Sequence, residues 1–345
     1  MAKIVRWGFL GCGRITNDFV TAMKGLDCVH LQACAARSLQ SAQEFATKLG
    51  IQTAYGSYEE LCADPDVDII YVGTQHIVHF ENTMLALQHG KHVVVEKPMM
   101  MNAKQAETVA ALARENRRLL VEAVWTRFFP ALGYVRELLV ENRIGEVLNL
   151  HADMGPFPAA VTSVWSRSMG GGGLNCIGIY PLSFATLVFG TNPVKVTATG
   201  GLTSDGVDAF ATTTLEYTDQ RFATVEYTMR ANMGASVQIV GSKGRIDIHN
   251  PAYAPTEVTL TEFPAGTKDE ISKKTLFPKP DRAANAGYNY SRSEGLVYEA
   301  EAITKAVLNG MTEMPEYPID EAVGVAKLMQ EIRRQIGVIY DSDDQ

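Results

Sequence analysis

A glycine turn between a strand pattern and a helix pattern constrains this chain more than any other feature. The apolar run Val5 to Leu10 predicts a β-strand, Gly11-x-Gly13-x-x-Thr16 follows at once, and an amphipathic helix is predicted from Ile15 to Met23. Glycines permit a tight turn and a close approach to a pyrophosphate, which the free N–H groups of the helix then stabilise. Thr16 replaces the third glycine, and an ordinary strand-to-helix turn is the alternative interpretation.

The same alternation of strands and helices continues through the first third of the chain. Further strands are predicted at Val29 to Ala36, Ile69 to Gly73, His92 to Val95 and Leu119 to Val124. Further helices are predicted at Leu39 to Leu49, Phe80 to His89 and Ala103 to Glu115. This order predicts an α/β fold whose parallel, doubly wound sheet is covered on both faces.

After about Glu122 the pattern changes to a helix followed by strands with two-residue alternation. The predicted elements are a helix at Ala131 to Glu141, strands at Thr212 to Tyr217, Phe222 to Met229, Ser236 to Val240, Arg245 to His249 and Glu257 to Glu262, and helices at Ser293 to Leu308 and Ile319 to Ile336. A mostly antiparallel sheet is expected, and the acidic end DSDDQ resembles a solvated tail. The 345 residues therefore divide into predicted domains 1–122 and 123–345.

Charge and cysteine content narrow the environment and the partners. The net charge of -8 is spread along the chain, which argues against nucleic-acid and membrane partners. The N-terminus lacks the pattern of a secretory signal, and we expect no apolar run of the roughly 20 residues that a membrane helix needs. The cysteines form an odd set without CxxC spacing, which favours a reducing cytoplasm: Cys12, Cys28, Cys34, Cys62 and Cys176.

The end of the second strand indicates the cofactor. An acidic residue there would bind the adenosine ribose of NAD, but the chain has Ala36, Arg37 and Ser38. A guanidinium can bind a 2′-phosphate through two charge-assisted hydrogen bonds, whereas a carboxylate would repel it. NADP is therefore favoured, and a solvated surface arginine is the alternative.

The segment HVVVEKP places Glu96 and Lys97 at the carboxyl end of the fourth predicted strand. Open α/β sheets bind ligands just beyond that edge. Pro98 restricts Lys97 to an extended backbone, which would direct its side chain towards the crevice. Lys97 is thus either a surface charge or a functional ammonium group beside the nicotinamide.

The chain resembles the Gfo/Idh/MocA oxidoreductase family. The resemblance extends from Val5 to about Ile339 and is strongest for the branch of dimeric dihydrodiol dehydrogenases and NADP-dependent D-xylose dehydrogenases. Four motifs in the right order carry it: GTQHIVH at Gly73 to His79, EKPM at Glu96 to Met99, EAVWTRFFPA at Glu122 to Ala131, and GGGGLNCIGIY at Gly170 to Tyr180.

This resemblance implies a Rossmann domain, a second α+β domain on an open, predominantly antiparallel sheet, and an active site between them. It implies that Lys97 and Tyr180 are catalytic. Because the corresponding peptide is often cis in family members, it also implies a cis peptide between Lys97 and Pro98. The cofactor-binding residues expected from the motifs and the resemblance are Gly11, Gly13, Arg14, Ile15, Arg37, Ser38, Thr74, Gln75, His76, His79, Glu96, Lys97, Trp125, Arg127, Trp165 and Arg167. The expected substrate contacts are Lys97, Trp125, Phe128, Met154, Cys176, Tyr180 and Tyr290.

A lysine and a tyrosine together can perform acid–base chemistry that neither performs alone. Free phenol and ammonium groups both titrate near pH 10. An adjacent ammonium stabilises a phenolate, so Tyr180 can accept the proton of a substrate hydroxyl as the hydride leaves for the nicotinamide. In reduction Tyr180 would return that proton.

Cys176 stands where the family pattern has an aspartate, four residues before the tyrosine. A thiol is a poorer hydrogen-bond acceptor than a carboxylate and is uncharged until near pH 8.5. A tolerated neutral replacement, an altered substrate preference and a slowed enzyme are all consistent with it. Met154 favours a less hydroxylated substrate.

Two further motifs have competing interpretations. His76 and His79 have a spacing that a metal could use, but the sequence offers no third ligand, so cofactor contact is expected and no metal. The run Gly170 to Gly173 lacks the GK[ST] ending of a nucleotide-triphosphate loop and is expected to be a flexible connection to the helix of Tyr180.

The expected function is hydride transfer between NADP and a small sugar or cyclic diol. Reduction of a dicarbonyl or anhydro-keto sugar is an alternative reaction, and a catalytically weak NADP-binding regulator is an alternative of another class. The outer face of the second sheet needs cover, which favours a homodimer.

Overall fold

The computed structural model describes residues 3–155, 161–266, 269–281 and 287–344. They form two compact units: Met1–Arg127 with Lys279–Val323, and Phe128–Pro278 with Gly324–Gln345. The first unit therefore extends past the predicted boundary at residue 122 and also includes the later segment Lys279–Val323.

The first unit contains a six-stranded parallel sheet in the order β3-β2-β1-β4-β5-β6. Its strands are β1 (Val5–Leu10), β2 (Val29–Ala35), β3 (Thr53–Tyr55), β4 (Ile69–Val72), β5 (His92–Glu96) and β6 (Leu120–Ala123). This order is that of a Rossmann fold, with its topological switch between β1 and β4. The predicted doubly wound sheet is confirmed. The three-residue β3 is too short to give a period-two signal and was not predicted.

Helices connect these strands, and one later helix joins them. They are α1 (Arg14–Met23), α2 (Leu39–Leu49), α3 (Tyr58–Ala63), α4 (His79–Gln88), α5 (Ala103–Glu115) and α8 (Leu296–Leu308). Aromatic side chains fill the core beneath α1, where the Phe19 and Tyr71 rings stack at 4.1 Å between centroids. Stacking of two aromatic rings stabilises a core by about 1 kcal/mol beyond the burial of their surface.

Asp18 fixes part of the later segment to the first unit. This fully buried residue of α1 accepts hydrogen bonds from the main-chain N–H of Asn289 at 2.8 Å and of Tyr290 at 2.9 Å. The Ser293 hydroxyl donates to the same carboxylate at 2.7 Å. A buried carboxylate with several donors is well compensated for its desolvation. Tyr290 is thereby held against the helix that follows the glycine turn.

The second unit is built on an eight-stranded sheet in the order β14-β13-β12-β11-β7-β10-β9-β8. Its strands are β7 (Val147–Met154), β8 (Lys195–Leu202), β9 (Asp208–Glu216), β10 (Phe222–Thr228), β11 (Val237–Gly241), β12 (Gly244–Ile248), β13 (Glu257–Glu262) and β14 (Ile271–Leu276). All neighbours are antiparallel except β7 and β10. The predicted open, mostly antiparallel sheet is confirmed.

Helices α6 (Pro130–Val140) and α7 (Ile179–Phe189) belong to the second unit, and α9 (Ile319–Ile336) runs from the first unit into the second. The stretch Arg167–Phe189 passes a composition test for a membrane span, with a mean hydropathy of 1.4, contrary to the sequence expectation. Because 72% of the most apolar 18-residue segment of this stretch is buried inside the protein, the stretch has the character of a core helix.

The acidic C-terminus is not simply a solvated tail. Asp343 pairs with the buried Arg333 at 3.1 Å, and Asp341 pairs with Arg167 at the same distance. Gln345 lies outside the described residues. The expectation failed because the buried partner Arg333 lies on α9, where the sequence pattern alone does not distinguish it from a surface arginine.

Candidate active site

The glycine turn has the geometry that a bound pyrophosphate requires. Gly11 has a φ of 90°, and a Cβ there would lie 2.8 Å from the carbonyl oxygen of Gly73, so no side chain fits. Gly13 is the N-cap of α1, and among the described residues no side chain caps this helix. The first-turn N–H groups of α1 are therefore free to bind an anion. Arg14 is exposed and Ile15 is half-buried beside them.

Gly73 explains why Thr16 can stand in place of the third glycine. A Cβ on Gly73 would collide with the Thr16 hydroxyl, so the space that Thr16 needs is provided by the end of β4. The small residue that close packing requires is therefore Gly73, after the facing strand, and not a residue of the helix. The close packing of α1 against the sheet is thereby retained.

Arg37 and Ser38 lie at the carboxyl end of β2. Arg37 is exposed, and its charge lowers the pKa of Tyr58, although burial raises that pKa more strongly. Within the described ranges no carboxylate is paired with the Arg37 guanidinium. Ser38 caps α2 by accepting a hydrogen bond from the Ser41 N–H at 3.5 Å.

Lys97 follows β5 directly, and the Lys97–Pro98 peptide is cis, which confirms that expectation. Its side chain is half-buried. The Lys97 charge lowers the pKa of Glu96 and of Glu122 in opposition to burial, and it also influences Tyr290. The ammonium group therefore lies in a largely buried and mainly acidic environment.

Glu122, at the end of β6, is the most informative of these neighbours. Its buried carboxylate accepts hydrogen bonds from the Met99 N–H at 2.7 Å and the Tyr317 hydroxyl at 3.0 Å. Burial raises its pKa to about 7, against the opposing effects of these donors and of Lys97. Glu122 thus fixes the backbone just after the cis peptide and changes charge near neutral pH.

Glu96 is buried beside Lys97, and its carboxylate accepts a hydrogen bond from Tyr71 at 2.5 Å. Burial raises the pKa of Glu96. Its predicted contact with the cofactor stays a prediction, because this structure shows the carboxylate directed to a core phenol.

His79 lies in the interior. Its Nδ1 is 2.9 Å from the Pro98 carbonyl oxygen and its Nε2 is 3.2 Å from that of Thr74, while burial lowers its pKa. His79 therefore connects the end of β4 with the turn after Lys97. The half-buried His76 lies against its ring at 5.6 Å between centroids, and Gln75 is exposed. The cofactor contacts of Thr74, Gln75, His76 and His79 stay predictions.

Arg127 is 1% exposed, which is unusual for a guanidinium. It forms an ion pair with Glu321 and lies 4.8 Å from the centre of the Tyr317 ring. These contacts describe a side chain that supports the WTRFF segment from within. Trp125 and Phe128 are each 9% exposed, and their predicted ligand contacts are not tested by this arrangement.

In the second unit, Tyr180 lies in the first turn of α7 and is half-buried. Its ring centroid is 6.3 Å from that of Tyr253. A π-helical segment, Leu174–Gly178, precedes α7 and carries Cys176, so Cys176 and Tyr180 are one helical turn apart. Such segments widen a helix locally and are frequent at functional sites.

The expectation that Gly170 to Gly173 is flexible is wrong. A Cβ on Gly171 would lie 2.6 Å from the Ser163 and Val164 carbonyl oxygens, and Gly172 has a φ of 120°. The run is needed for close packing, because backbone and core side chains leave no room for a Cβ. Sequence alone does not distinguish these two uses of glycine.

Asp208, at the start of β9, fixes this run to the sheet. The fully buried carboxylate accepts hydrogen bonds from the Leu174 N–H at 2.6 Å and the Tyr227 hydroxyl at 2.7 Å. Burial raises its pKa. Asp208 therefore sets the start of the helical stretch that carries Cys176 and Tyr180.

The remaining predicted residues of the site have varied surroundings. Met154 is fully buried, Trp165 is half-buried and Tyr290 is 39% exposed. The exposed guanidinium of Arg167 pairs with Asp341, and the main-chain N–H of Arg167 donates a hydrogen bond to the Asp205 carboxylate at 2.7 Å. Their roles stay predictions.

Sequence reasoning assigned no role to Asp18, Glu122 or Asp208. Each is a carboxylate within or beside an apolar segment, and an acidic residue at such a position is a weak signal of a buried anchor. Their partners are far away in the chain, as Tyr317 is from Glu122. No local motif records such pairs.

Comparisons with known proteins place these features in a family. Residues 5–123 match the NAD-binding Rossmann-fold model of the Gfo/Idh/MocA oxidoreductase family, and residues 133–247 match its C-terminal domain model. The trans-1,2-dihydrobenzene-1,2-diol dehydrogenase of Danio rerio is 37% identical over 344 residues, covering 99% of each chain. The chain belongs to the Gfo/Idh/MocA oxidoreductase family and is a dehydrogenase acting on CH–OH groups.

Solved structures share the fold. KijD10, a 3-ketoreductase from Actinomadura kijaniata, in an open conformation with TDP-benzene and NADP, is 25% identical with a TM-score of 0.78, covering 98% of this chain and 99% of that one. A levoglucosan dehydrogenase with NADH and L-sorbose is 18% identical with a TM-score of 0.85, covering 97% of each chain. The latter similarity supports the fold alone.

Proposed function

We propose that the protein is an NADP-dependent dehydrogenase that oxidises a hydroxyl group of a trans-dihydrodiol or of an aldose such as D-xylose. The observation that carries the substrate class is the full-length similarity to the Danio rerio dihydrodiol dehydrogenase. The apolar side chains predicted to contact the substrate, among them Phe128 and Met154, favour a diol with few hydroxyl groups.

The residues of the first unit fit NADP. The closely packed Gly11 and the uncapped N-terminus of α1 suit a pyrophosphate, and the exposed Arg37 suits a 2′-phosphate. Gly13, Arg14 and Ser38 would complete this set. When bound, the nicotinamide supplies the acceptor or donor of the hydride.

The chain itself supplies the proton chemistry. Tyr180 accepts the proton of the substrate hydroxyl during oxidation and returns it during reduction. Lys97 provides positive charge, while His79 and Glu122 hold the backbone of the two residues that follow it. Because the pKa of Glu122 is about 7, we expect the activity to change with pH near neutrality.

A spectrophotometric assay tests the reaction. Purified protein with NADP and trans-dihydrobenzenediol or D-xylose is expected to increase the absorbance at 340 nm. Tyr180→Phe should lower kcat by about 100-fold or more while NADP binding persists, and Lys97→Met should lower it similarly. Normal turnover in both variants would refute the assigned pair.

A second assay tests the cofactor. Arg37→Ala is expected to raise the KM for NADP by about tenfold or more and to leave the KM for NAD unchanged, because only NADP carries the 2′-phosphate. Arg230→Ala, at an exposed arginine of the second unit, is the matched control. Equal effects of Arg37→Ala on both cofactors would contradict the preference.

The same assays separate the alternatives. A reductase of dicarbonyl or anhydro-keto sugars would consume NADPH with those substrates and show little oxidation of diols. A regulatory protein would bind NADP without turnover of any substrate. Because the similar protein KijD10 is a 3-ketoreductase, ketone substrates with NADPH belong among the assays.

We further propose a cytoplasmic homodimer with small-molecule substrates and without nucleic-acid or membrane partners. The support is the sheet of the second unit, where alternate residues of β9 and β10, including Thr212 and Thr224, are exposed or half-buried on one face while their neighbours are buried. Sedimentation should give twice the chain mass of 37.7 kDa. A single chain mass would exclude the dimer.

A further inference from the structure

Tyr317 reaches the segment that carries Lys97 from a distant part of the chain. Its hydroxyl donates a hydrogen bond to Oε2 of the Glu122 carboxylate at 3.0 Å, across 195 positions of sequence. The other carboxylate oxygen, Oε1, accepts a hydrogen bond from the main-chain N–H of Met99 at 2.7 Å. Met99 is the second residue after Lys97. One carboxylate therefore connects a phenol of the later segment with the main chain beside the lysine.

Burial makes both hydrogen bonds of this carboxylate important. Glu122 is 3% exposed and Tyr317 is 1% exposed, so little water reaches either side chain. A buried polar atom that loses its partner keeps the full cost of its desolvation. Loss of the phenol would therefore leave Oε2 uncompensated, and the carboxylate would have to turn or take up a proton. Either change would alter its hold on the Met99 N–H.

The ring of Tyr317 is itself fixed from the other side. The guanidinium of Arg127 lies 4.8 Å from the ring centre, and Arg127 forms an ion pair with Glu321 in the first turn of α9. Burial and the charge of Glu122 raise the pKa of Tyr317, so its hydroxyl keeps the proton that it donates. Tyr317 is thus a fixed hydrogen-bond donor aimed at one carboxylate oxygen. All of these residues belong to the first unit.

We propose that Tyr317 is a positioning residue for Lys97: its hydroxyl orients the Glu122 carboxylate, and Glu122 holds the main chain at Met99. Tyr317 acts through Glu122 and not by contact with the substrate. The role towards Lys97 rests on the proposed function, in which Lys97 is catalytic. The connection from Tyr317 to Met99 does not rest on it.

Glu122 also makes this arrangement sensitive to pH. The titratable and charged groups that face it come from the end of β5, from the segment after β6 and from the segment before α9, and are Lys97, Glu96, Arg127 and Tyr317. Burial raises the pKa of Glu122 to about 7, whereas the hydrogen bonds from Met99 and Tyr317 and the charge of Lys97 lower it. Removal of the Tyr317 hydroxyl should therefore raise the pKa of Glu122 further.

Tyr317→Phe is the variant that isolates the hydroxyl, because it keeps the ring and its contact with Arg127. Tyr134→Phe is the matched control, since it removes the hydroxyl of a half-buried tyrosine on α6 in the second unit. Glu122→Gln provides the reference without a titrating group at this position.

The first experiment observes the Met99 N–H in the intact protein labelled with ¹⁵N-methionine. The protein has 13 methionines, and the resonance of Met99 is the one missing from Met99→Leu. Because this N–H donates to Glu122, its chemical shift should titrate with a midpoint of about pH 7 in the wild type and in Tyr134→Phe, and not in Glu122→Gln. In Tyr317→Phe the midpoint should be about one pH unit higher. An unchanged midpoint in Tyr317→Phe would overturn the proposal.

The second experiment measures kcat with NADP and trans-dihydrobenzenediol or D-xylose from about pH 6 to about pH 9. We expect the midpoint of its pH profile to be about one pH unit higher in Tyr317→Phe, with an unchanged KM for NADP. Partial unfolding would lower the amount of active protein without moving this midpoint. A shifted Met99 titration with an unshifted kcat profile would overturn the role towards Lys97. If the wild type turns over neither substrate, the proposed function fails, and the Met99 resonance still decides whether Tyr317 positions this segment.

Discussion

The proposed catalytic residues of the two units, Lys97 and Tyr180, have different surroundings. In the first unit Glu96, Glu122 and Glu299 all lie in the interior, and burial raises the pKa of each. The positive charge of Lys97 lowers the pKa of Glu96 and of Glu122, in opposition to burial. In the second unit Asp208 holds the main chain at Leu174 and the Tyr227 phenol.

The difference shows two ways in which the proposed catalytic residues are positioned. Lys97 follows a parallel strand, so the sheet fixes its place and the surrounding carboxylates set its electrostatic environment. Tyr180 begins a helix, so its place depends on how the preceding glycine run packs. We therefore expect changes in the second unit to act mainly through geometry and stability, and changes in the first unit to act mainly through charge.

The largest effect is expected for Gly172→Ala. The φ of 120° disfavours any L side chain, and a Cβ would collide with Asp208 and lie 2.7 Å from the Tyr340 hydroxyl. We expect a loss of about 3 kcal/mol or more in the free energy of unfolding, measured in urea. Gly50→Ala is the control, since Gly50 also has a positive φ, in the left-handed helical region, but open space around it, and should lose about 1 kcal/mol. Equal losses would refute the packing role of the run.

The next effect concerns the pH dependence that Glu122 gives the first unit. Its folded pKa of about 7 lies above the ordinary value of 4.5, so the folded state binds the proton more tightly. The resulting stability is complete below pH 4.5 and is lost as the pH rises through 7, to a total of about 3 kcal/mol. Glu122→Gln should remove this decline, measured by urea unfolding at pH 5 and pH 8. An identical decline in both proteins would show that Glu122 does not titrate in this way.

A smaller effect of opposite sign is expected at Glu299. Its side chain is fully buried on α8, and neither carboxylate oxygen has a hydrogen-bond partner among the described residues. Replacing an uncompensated polar group by an apolar one of similar size is stabilising, so Glu299→Met should gain about 1–2 kcal/mol in thermal or urea unfolding. Glu299→Gln, which remains polar, should gain less. A destabilised Glu299→Met protein would indicate that the carboxyl has a required partner.

Local patterns in the sequence were sufficient for much of the first unit. The strand, turn and helix from Val5 to Met23 need only neighbouring residues for their definition, and the structure confirms them within one residue. The cis peptide at Lys97 was expected only from the family resemblance. The short β3 and α3 were missed because three to six residues give too little periodicity.

By itself the sequence determined the alternation of the longer strands and helices in the first unit, the glycine turn and the positions of Lys97 and Arg37, since each depends on residues close together in the chain. Only the tertiary structure decided that Gly73 makes room for Thr16, that Asp18 binds a segment about 270 residues away, and that Tyr317 donates a hydrogen bond to Glu122. The physical reason is that packing and burial are properties of neighbours in space, and chain folding brings those neighbours from distant positions.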